Sequence, residues 1–305
     1  NFDTELAFLH KNDYDANTLI ILWNPVEIGV WDSTWITRLN SILDRRPFQL
    51  LYVTGVEAYQ DLYKFFDLKF EVRFLPVFDI RSARMWSNFE PVDSNKTCKF
   101  MFINAKDEPH RRYILSLIKD AGLLNQGIIS YQCTEGTYDL EDRRVPALVE
   151  NAFHNTQDIL PIRLPYSSKP NLVQNVAVYI PRKVFLNCFV GIIGETHWRY
   201  DRGSFSQCFL TEKTFNAIAN NQIFFVVGHA HSLKLLKKLG YQTFDNIIDE
   251  SYDSIEDDEL RLYTVGKEII KFVSRPIDLV RADYMKVLDR LEHRSEEHTS
   301  ELQSH

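Results

Sequence analysis

Apolar residues recur along this chain in two alternating rhythms. Short, mainly apolar runs at 18–23, 48–54, 70–78, 99–103, 127–131, 189–194 and 224–228 predict strands. Between them, apolar positions return every third or fourth residue: Trp35, Ile36, Leu39, Ile42 and Leu43 after Asp32-Ser33; Leu62, Phe65 and Phe66 within 57–66; and Ile114, Leu117 and Ile118 within 113–121. Further helices are predicted at 181–187, from Glu212 through Phe215, Ile218 and Ala219, and at 232–239, 259–272 and 277–291. Strand alternating with helix is the signature of a parallel sheet covered on both faces, an α/β fold whose ligands gather at the carboxyl ends of the strands. Residues 132–170 lack periodicity and carry Pro146, Pro161, Pro165 and Pro170, which predicts an interdomain segment. Two α/β domains follow, 1–165 and 166–293.

Composition narrows the classes. With 45% apolar and 25% charged residues, the 305-residue chain is of the soluble globular kind. A net charge of −7 argues against a general nucleic-acid binder, which needs clustered Lys and Arg. Cys98, Cys133, Cys188 and Cys208 have no metal-ligand spacing and suggest no disulfide framework, so a reducing, cytoplasmic setting and no metal are expected. No apolar run approaches membrane-spanning length. A start at Asn1 reads as a missing or trimmed upstream part, and 294–305 is similar to a translated sequencing adapter and is left out of the fold.

Charge, helix and strand signals converge at 209–228. Thr211 is placed to cap a helix beginning at Glu212-Lys213, whose unpaired N–H groups and dipole favour an anion. Lys213 would neutralise phosphate oxygens and Glu212 would accept from a ribose diol; the plainer reading is a first-turn Glu complementing the dipole beside a solvated Lys. Glu195-Thr196 follows the strand at 189–194, with Arg199 and Arg202 in the next loop, so these groups could hold a diphosphate without a metal. His110 and Arg111 open a helix after the strand at 99–103, again at a carboxyl strand end. Asp13-Tyr14-Asp15 matches a metal-binding Asp-x-Asp pattern but precedes the first strand, out of context. Glycine-rich dinucleotide, P-loop and nucleophile-elbow patterns are missing.

Phe209-Leu-Thr-Glu-Lys-Thr-Phe-Asn-Ala-Ile-Ala219, the stretch 224–244, and Ile248-Asp-Glu-Ser-Tyr-Asp253 resemble a group of phage and environmental glycosyltransferases of the GT-B type. The segments 100–112 and 122–130 resemble the same group, and Thr211-Glu212-Lys213 is similar to the donor motif of the α-1,3-fucosyltransferase family. The resemblance implies two Rossmann-like domains facing a cleft, an N-terminal acceptor domain and a C-terminal donor domain. It implies metal-independent, inverting transfer from a nucleotide-diphosphate sugar, bound as substrate with no further cofactor, to a glycan or other hydroxyl. Glu195, Thr196, Arg199, Arg202, Thr211, Glu212, Lys213 and Gly228 become candidate donor contacts, Asn104 and Arg111 acceptor-side residues, and His110 and Lys213 catalytic ones. Glu27, Asp32, Asp79 and Asp107 are further candidates for the base. Two departures from the group stand out: Ala105-Lys106 where more basic residues are expected, and Gly228-His-Ala-His231 in place of a smaller turn. The rival reading is a non-catalytic nucleotide-sugar or glycan-binding module on the same scaffold.

Overall fold

The computed structural model describes residues 9, 14–24, 33–46, 48–54, 63–64, 66–75, 95–132, 147–164, 180–199 and 208–291. The chain divides into two compact units, Asn1–Phe78 with Tyr200–Phe209, and Asp79–Arg199 with Leu210–His305.

In the first unit β1 (Leu19–Asn24), α1 (Ser33–Arg45), β2 (Gln49–Thr54) and β3 (Glu71–Phe74) follow in order. The strands pair in parallel as β1-β2-β3, with Leu19 opposite Gln49 and Leu51 opposite Glu71. Ile36, Leu39 and Ile42 form the buried stripe of α1, and Leu50, Tyr52 and Val53 make β2 the buried centre of the sheet. Of the helix expected at 57–66, most lies outside the described residues; Tyr63 and Lys64 form a 3-10 turn. Asp15 accepts from Asn17 N and Thr18 Oγ1 at 3.0 and 2.9 Å, so its carboxylate closes a turn.

The second unit holds β4 (Cys98–Asn104), α2 (Pro109–Asp120), β5 (Gly127–Tyr131), α3 (Ala147–Thr156), α4 (Arg182–Leu186), β6 (Cys188–Gly194), α5 (Glu212–Ala219), β7 (Ile223–Val227), α6 (Ser232–Lys238), α7 (Asp258–Val273) and α8 (Ile277–Lys286). All four strands are parallel in the order β5-β4-β6-β7. The boundary expected near 165 therefore falls inside one sheet, since β4 and β5 precede it and β6 and β7 follow it. The proline-rich stretch misled because it contains a helix: Val149, Ala152 and Thr156 give α3 one buried face against α2. Residue 162, also within that stretch, bridges Tyr131.

Both faces of this sheet are covered, as the burial of every residue of β6 and β7 requires. The aromatic core includes Phe225 edge-on to Phe272 of α7, and Phe189 edge-on to Tyr284 of α8. Gly266 lets α7 approach α2 closely, because a Cβ there would stand 2.6 Å from Leu117 Cδ1. Starting earlier than its apolar pattern predicts, α2 has Pro109 in its first turn, where the missing N–H costs nothing. Among the described residues no helix is long and apolar enough to cross a membrane.

A buried ion pair fixes α2 to its neighbours. Arg112 meets Asp107 through two bonds of 2.6 and 2.7 Å, Tyr131 Oη donates to Asp107 at 2.7 Å, and Arg112 donates to Thr156 at 2.9 Å. Burial and the neighbouring Asp107 carboxylate push the Tyr131 hydroxyl well above its ordinary pKa, keeping it a donor. Removing one partner strands the other charge, so Arg112→Met should destabilise the unit by about 3–5 kcal/mol, and Asp107→Leu added to it should recover part of the loss. Denaturant unfolding of the two variants and the parent measures both effects.

Candidate functional site

β5 and β6 lie on opposite sides of β4, so the strand order switches between β4 and β6, where open α/β sheets tend to place ligands beyond the carboxyl ends. In this chain that position is filled from within. Arg111 donates to the carbonyls of Gly194, Glu195 and Lys106 at 3.2, 2.9 and 3.3 Å. His110 Nε2 donates to the same Glu195 carbonyl at 2.8 Å. Gly194 has to lack a side chain: a Cβ would sit 2.7 Å from Arg111 Cγ and 3.1 Å from Asn104 Oδ1.

Glu195 follows β6 directly, and its amide continues the ladder to Val227 O at 3.0 Å. Its side chain is wholly buried. The start of α5 supplies most of the donors that replace water. Oε1 accepts from Thr211 N at 3.0 Å and Thr214 Oγ1 at 2.5 Å; Oε2 accepts from Thr211 Oγ1 at 2.6 Å and Thr196 N at 3.3 Å. Short bonds to a carboxylate are the strong kind, and they hold the helix start against the strand end.

Thr211 is the N-cap, with extended backbone, as the sequence predicts. Its hydroxyl gives its proton to Glu195 and accepts from Lys213 N at 3.4 Å and Lys213 Nζ at 3.1 Å. The Lys213 ammonium also reaches Thr196 Oγ1 and Glu212 Oε1, each at 3.3 Å. These contacts are longer than the roughly 2.7–2.9 Å of a tight charge-assisted bond. Lys213 and Glu212 are 26% and 23% exposed, so solvent weakens their pair and an arriving anion can compete for the ammonium.

The candidates thus sort into layers. Glu195, Thr196, Thr211, Glu212 and Lys213 converge. Asn104, His110, Arg111 and Gly228 sit beneath them as scaffold. His110 is fully buried, its Nε2 proton is fixed by a carbonyl acceptor, and burial, then Arg111, drives its pKa well below the ordinary value. It stacks on Trp198 with ring centres 5.9 Å apart. A ring of lowered basicity, wholly enclosed and with one nitrogen engaged, is a poor general base, so the expected catalytic part for His110 is corrected to a structural one. Arg111 is corrected likewise: its guanidinium holds backbone, and burial lowers its pKa. Asn104 is 3% exposed, and neither of its polar side-chain atoms has a hydrogen-bond partner among the described residues. Glu195 itself, expected to touch the donor, instead positions the threonines and through them Lys213. Asp107, a candidate base, is committed to Arg112 and Tyr131. Arg199 lies against the Trp198 ring, while Arg202, Glu27, Asp32 and Asp79 fall outside the described residues.

Two contributors escaped the sequence reading. Thr214 is three residues after the cap, a spacing that places both hydroxyls on one helix face and was legible in principle. Arg261 gave no local signal: from α7 it donates to Gly228 O at 3.1 Å and Trp198 O at 2.5 Å, tying the ends of the β6 and β7 loops together. His229, buried after β7, donates Nε2 to Arg199 O at 3.0 Å and stacks on His197.

Compared with known proteins, the chain matches no family model, no curated protein and no solved structure.

Glu195→Gln turns one acceptor of this cluster into a donor facing donors, and should cost about 2–3 kcal/mol of stability, read by denaturant unfolding. A second outcome concerns acid. Burial holds His229 near about 4 against an ordinary 6.5. Between those values the unfolded chain takes a proton that the folded chain refuses, so stability falls as pH drops through the window, by roughly 3 kcal/mol at full extent. His110 adds in the same direction. Urea midpoints at pH 7.5 and 5 should diverge, and His229→Gln should flatten the difference.

Proposed function

We propose that this protein is a glycosyltransferase whose second unit binds a nucleotide-diphosphate sugar with the diphosphate against Lys213. The observation that carries the reading is the Lys213 ammonium itself. It stands at the first turn of α5, partly exposed, beside the Thr196 and Thr211 hydroxyls at 3.3 and 3.1 Å and Glu212 at 3.3 Å, and Thr211 is in turn held by the buried Glu195 carboxylate. Helix dipole, first-turn N–H groups and ammonium share one sign, suited to a diphosphate. The likeness of Thr211-Glu212-Lys213 to the fucosyltransferase donor motif supports the same reading.

On this proposal the acceptor hydroxyl attacks the anomeric carbon, the bond to the diphosphate oxygen breaks, and the acceptor proton passes to a base other than His110 or Asp107. Lys213 and the helix start stabilise charge building on the departing diphosphate, so the reaction runs in EDTA. Glu212, 23% exposed, is placed to accept from the ribose diol. The reading assigns a GT-B division of labour, with the donor on the four-stranded unit and the acceptor on the three-stranded one, and inversion at the anomeric carbon.

A panel of nucleoside diphosphates should include one that raises the melting temperature, because a ligand of the native state stabilises it by mass action. Lys213→Ala should weaken that ligand about 10- to 100-fold and slow donor turnover by about 100-fold. Binding that survives Lys213→Ala unchanged would overturn the placement. Tight binding with no turnover across a donor and acceptor panel would favour the binding-module reading.

A further inference from the structure

We propose that Cys98 and Cys188 are a redox-active pair that peroxide closes into an intramolecular disulfide across β4 and β6. The two residues begin their strands and face each other in the parallel register. Neighbouring strands lie about 4.8 Å apart, inside the Cα separation of roughly 4.4–6.8 Å that a disulfide spans. As direct partners in a parallel ladder the two side chains leave the same face of the sheet, and both pack against Val184 and Phe185 of α4.

The backbone gives them little room to part. Cys98 N donates to Asn187 O at 3.1 Å, and Thr97 Oγ1 donates to Asn187 Oδ1 at 2.8 Å, lacing together the residues just before each cysteine. Lys96 Nζ adds a bond to Leu186 O at 2.8 Å. No motif spacing in the sequence betrays the pair, because the fold rather than the local chain brings it together.

The pair is asymmetric in the way a reacting and a resolving thiol need to be. Cys98 is partly exposed, whereas Cys188 is fully buried. The neighbouring Cys188 thiol brings Cys98 down to about 7, while the Cys98 sulfur beside it, then burial, pushes Cys188 well up. Cys98 is therefore the thiolate that meets the oxidant. Its sulfur attacks one peroxide oxygen, giving a sulfenic acid and hydroxide; the Cys188 thiol then displaces the sulfenic oxygen as water and forms the S–S bond. Two thiols and one hydrogen peroxide become one disulfide and two waters. The inference is independent of the glycosyltransferase reading, since these residues stand at the amino ends of the strands and the Lys213 site follows their carboxyl ends.

The test uses the full chain, reduced and then treated with stoichiometric hydrogen peroxide, alkylated, and digested without reductant. The expected result is a Cys98–Cys188 cross-linked peptide and the loss of two of the four thiols, both reversed by dithiothreitol. In Cys188→Ser, dimedone should trap a sulfenic acid on Cys98; in Cys98→Ser, oxidation of Cys188 should slow by about tenfold or more. The parent in urea is the control for encoding by the fold, and its cross-linking should lose selectivity for this pair. The proposal fails if the folded parent yields no such peptide, if either cysteine joins Cys133 or Cys208 instead, or if the urea-unfolded chain forms the same cross-link as readily.

Discussion

A carboxylate taken wholly out of water must recover in hydrogen bonds what it lost in hydration. Glu195 does so by drawing a helix to itself. Its oxygens collect the Thr211 amide, the Thr211 hydroxyl and the Thr214 hydroxyl, all from the beginning of α5, within 3.0 Å. The consequence is geometric: the start of α5 cannot drift from the end of β6 without leaving a buried charge short of donors. Gly228, at the end of β7, completes the enclosure, since a Cβ there would lie 3.3 Å from Glu195 Cβ. Strand end, helix start and neighbouring strand end are thereby referred to one side chain.

The same residue explains which cation near it is available. Arg111 and Arg261 are both buried, and each spreads its guanidinium over backbone carbonyls, the use for which several fixed donors suit it. Lys213 has no such commitment. Its contacts at 3.1–3.3 Å are to two hydroxyls and a partly exposed carboxylate neighbour, none of which needs the full charge. Thr211 links the two situations, because the hydroxyl whose proton satisfies Glu195 turns its lone pairs toward Lys213. The buried anion thus orders the partly exposed cation through an intervening threonine, without the direct pairing that would have neutralised it.

What could be read from the sequence was what depends on neighbours along the chain. The N-cap at Thr211, the Glu212-Lys213 helix start and the alternation of strands with helices are local, and the structure carries each of them. Side-chain burial is not local. His110 and Arg111 look like polar residues at a helix start, and only the pairing of β4 with β6, which are separated in sequence by β5 and the helices α2, α3 and α4, turns them inward. The domain boundary failed for the same reason, since prolines mark irregular chain whether or not the strands on either side share a sheet.

That inward turn follows from how the ladder between β4 and β6 ends. Its last register partners are Met101 and Gly191, although β4 continues to Asn104 and β6 to Gly194. Beyond Met101 the strands have no partners in each other, so polar backbone of β6 facing β4 must be satisfied by something else. Arg111 and His110 reach across from α2 and take the carbonyls of Gly194 and Glu195. On the other side of β6 no such repair is needed, because the Glu195 amide still bonds Val227 O and the ladder to β7 runs to its end. The switch point is therefore closed by the demand of its own backbone, and the partly exposed cation lies one strand over, on the side of β6 where α5 begins and Lys213 stands.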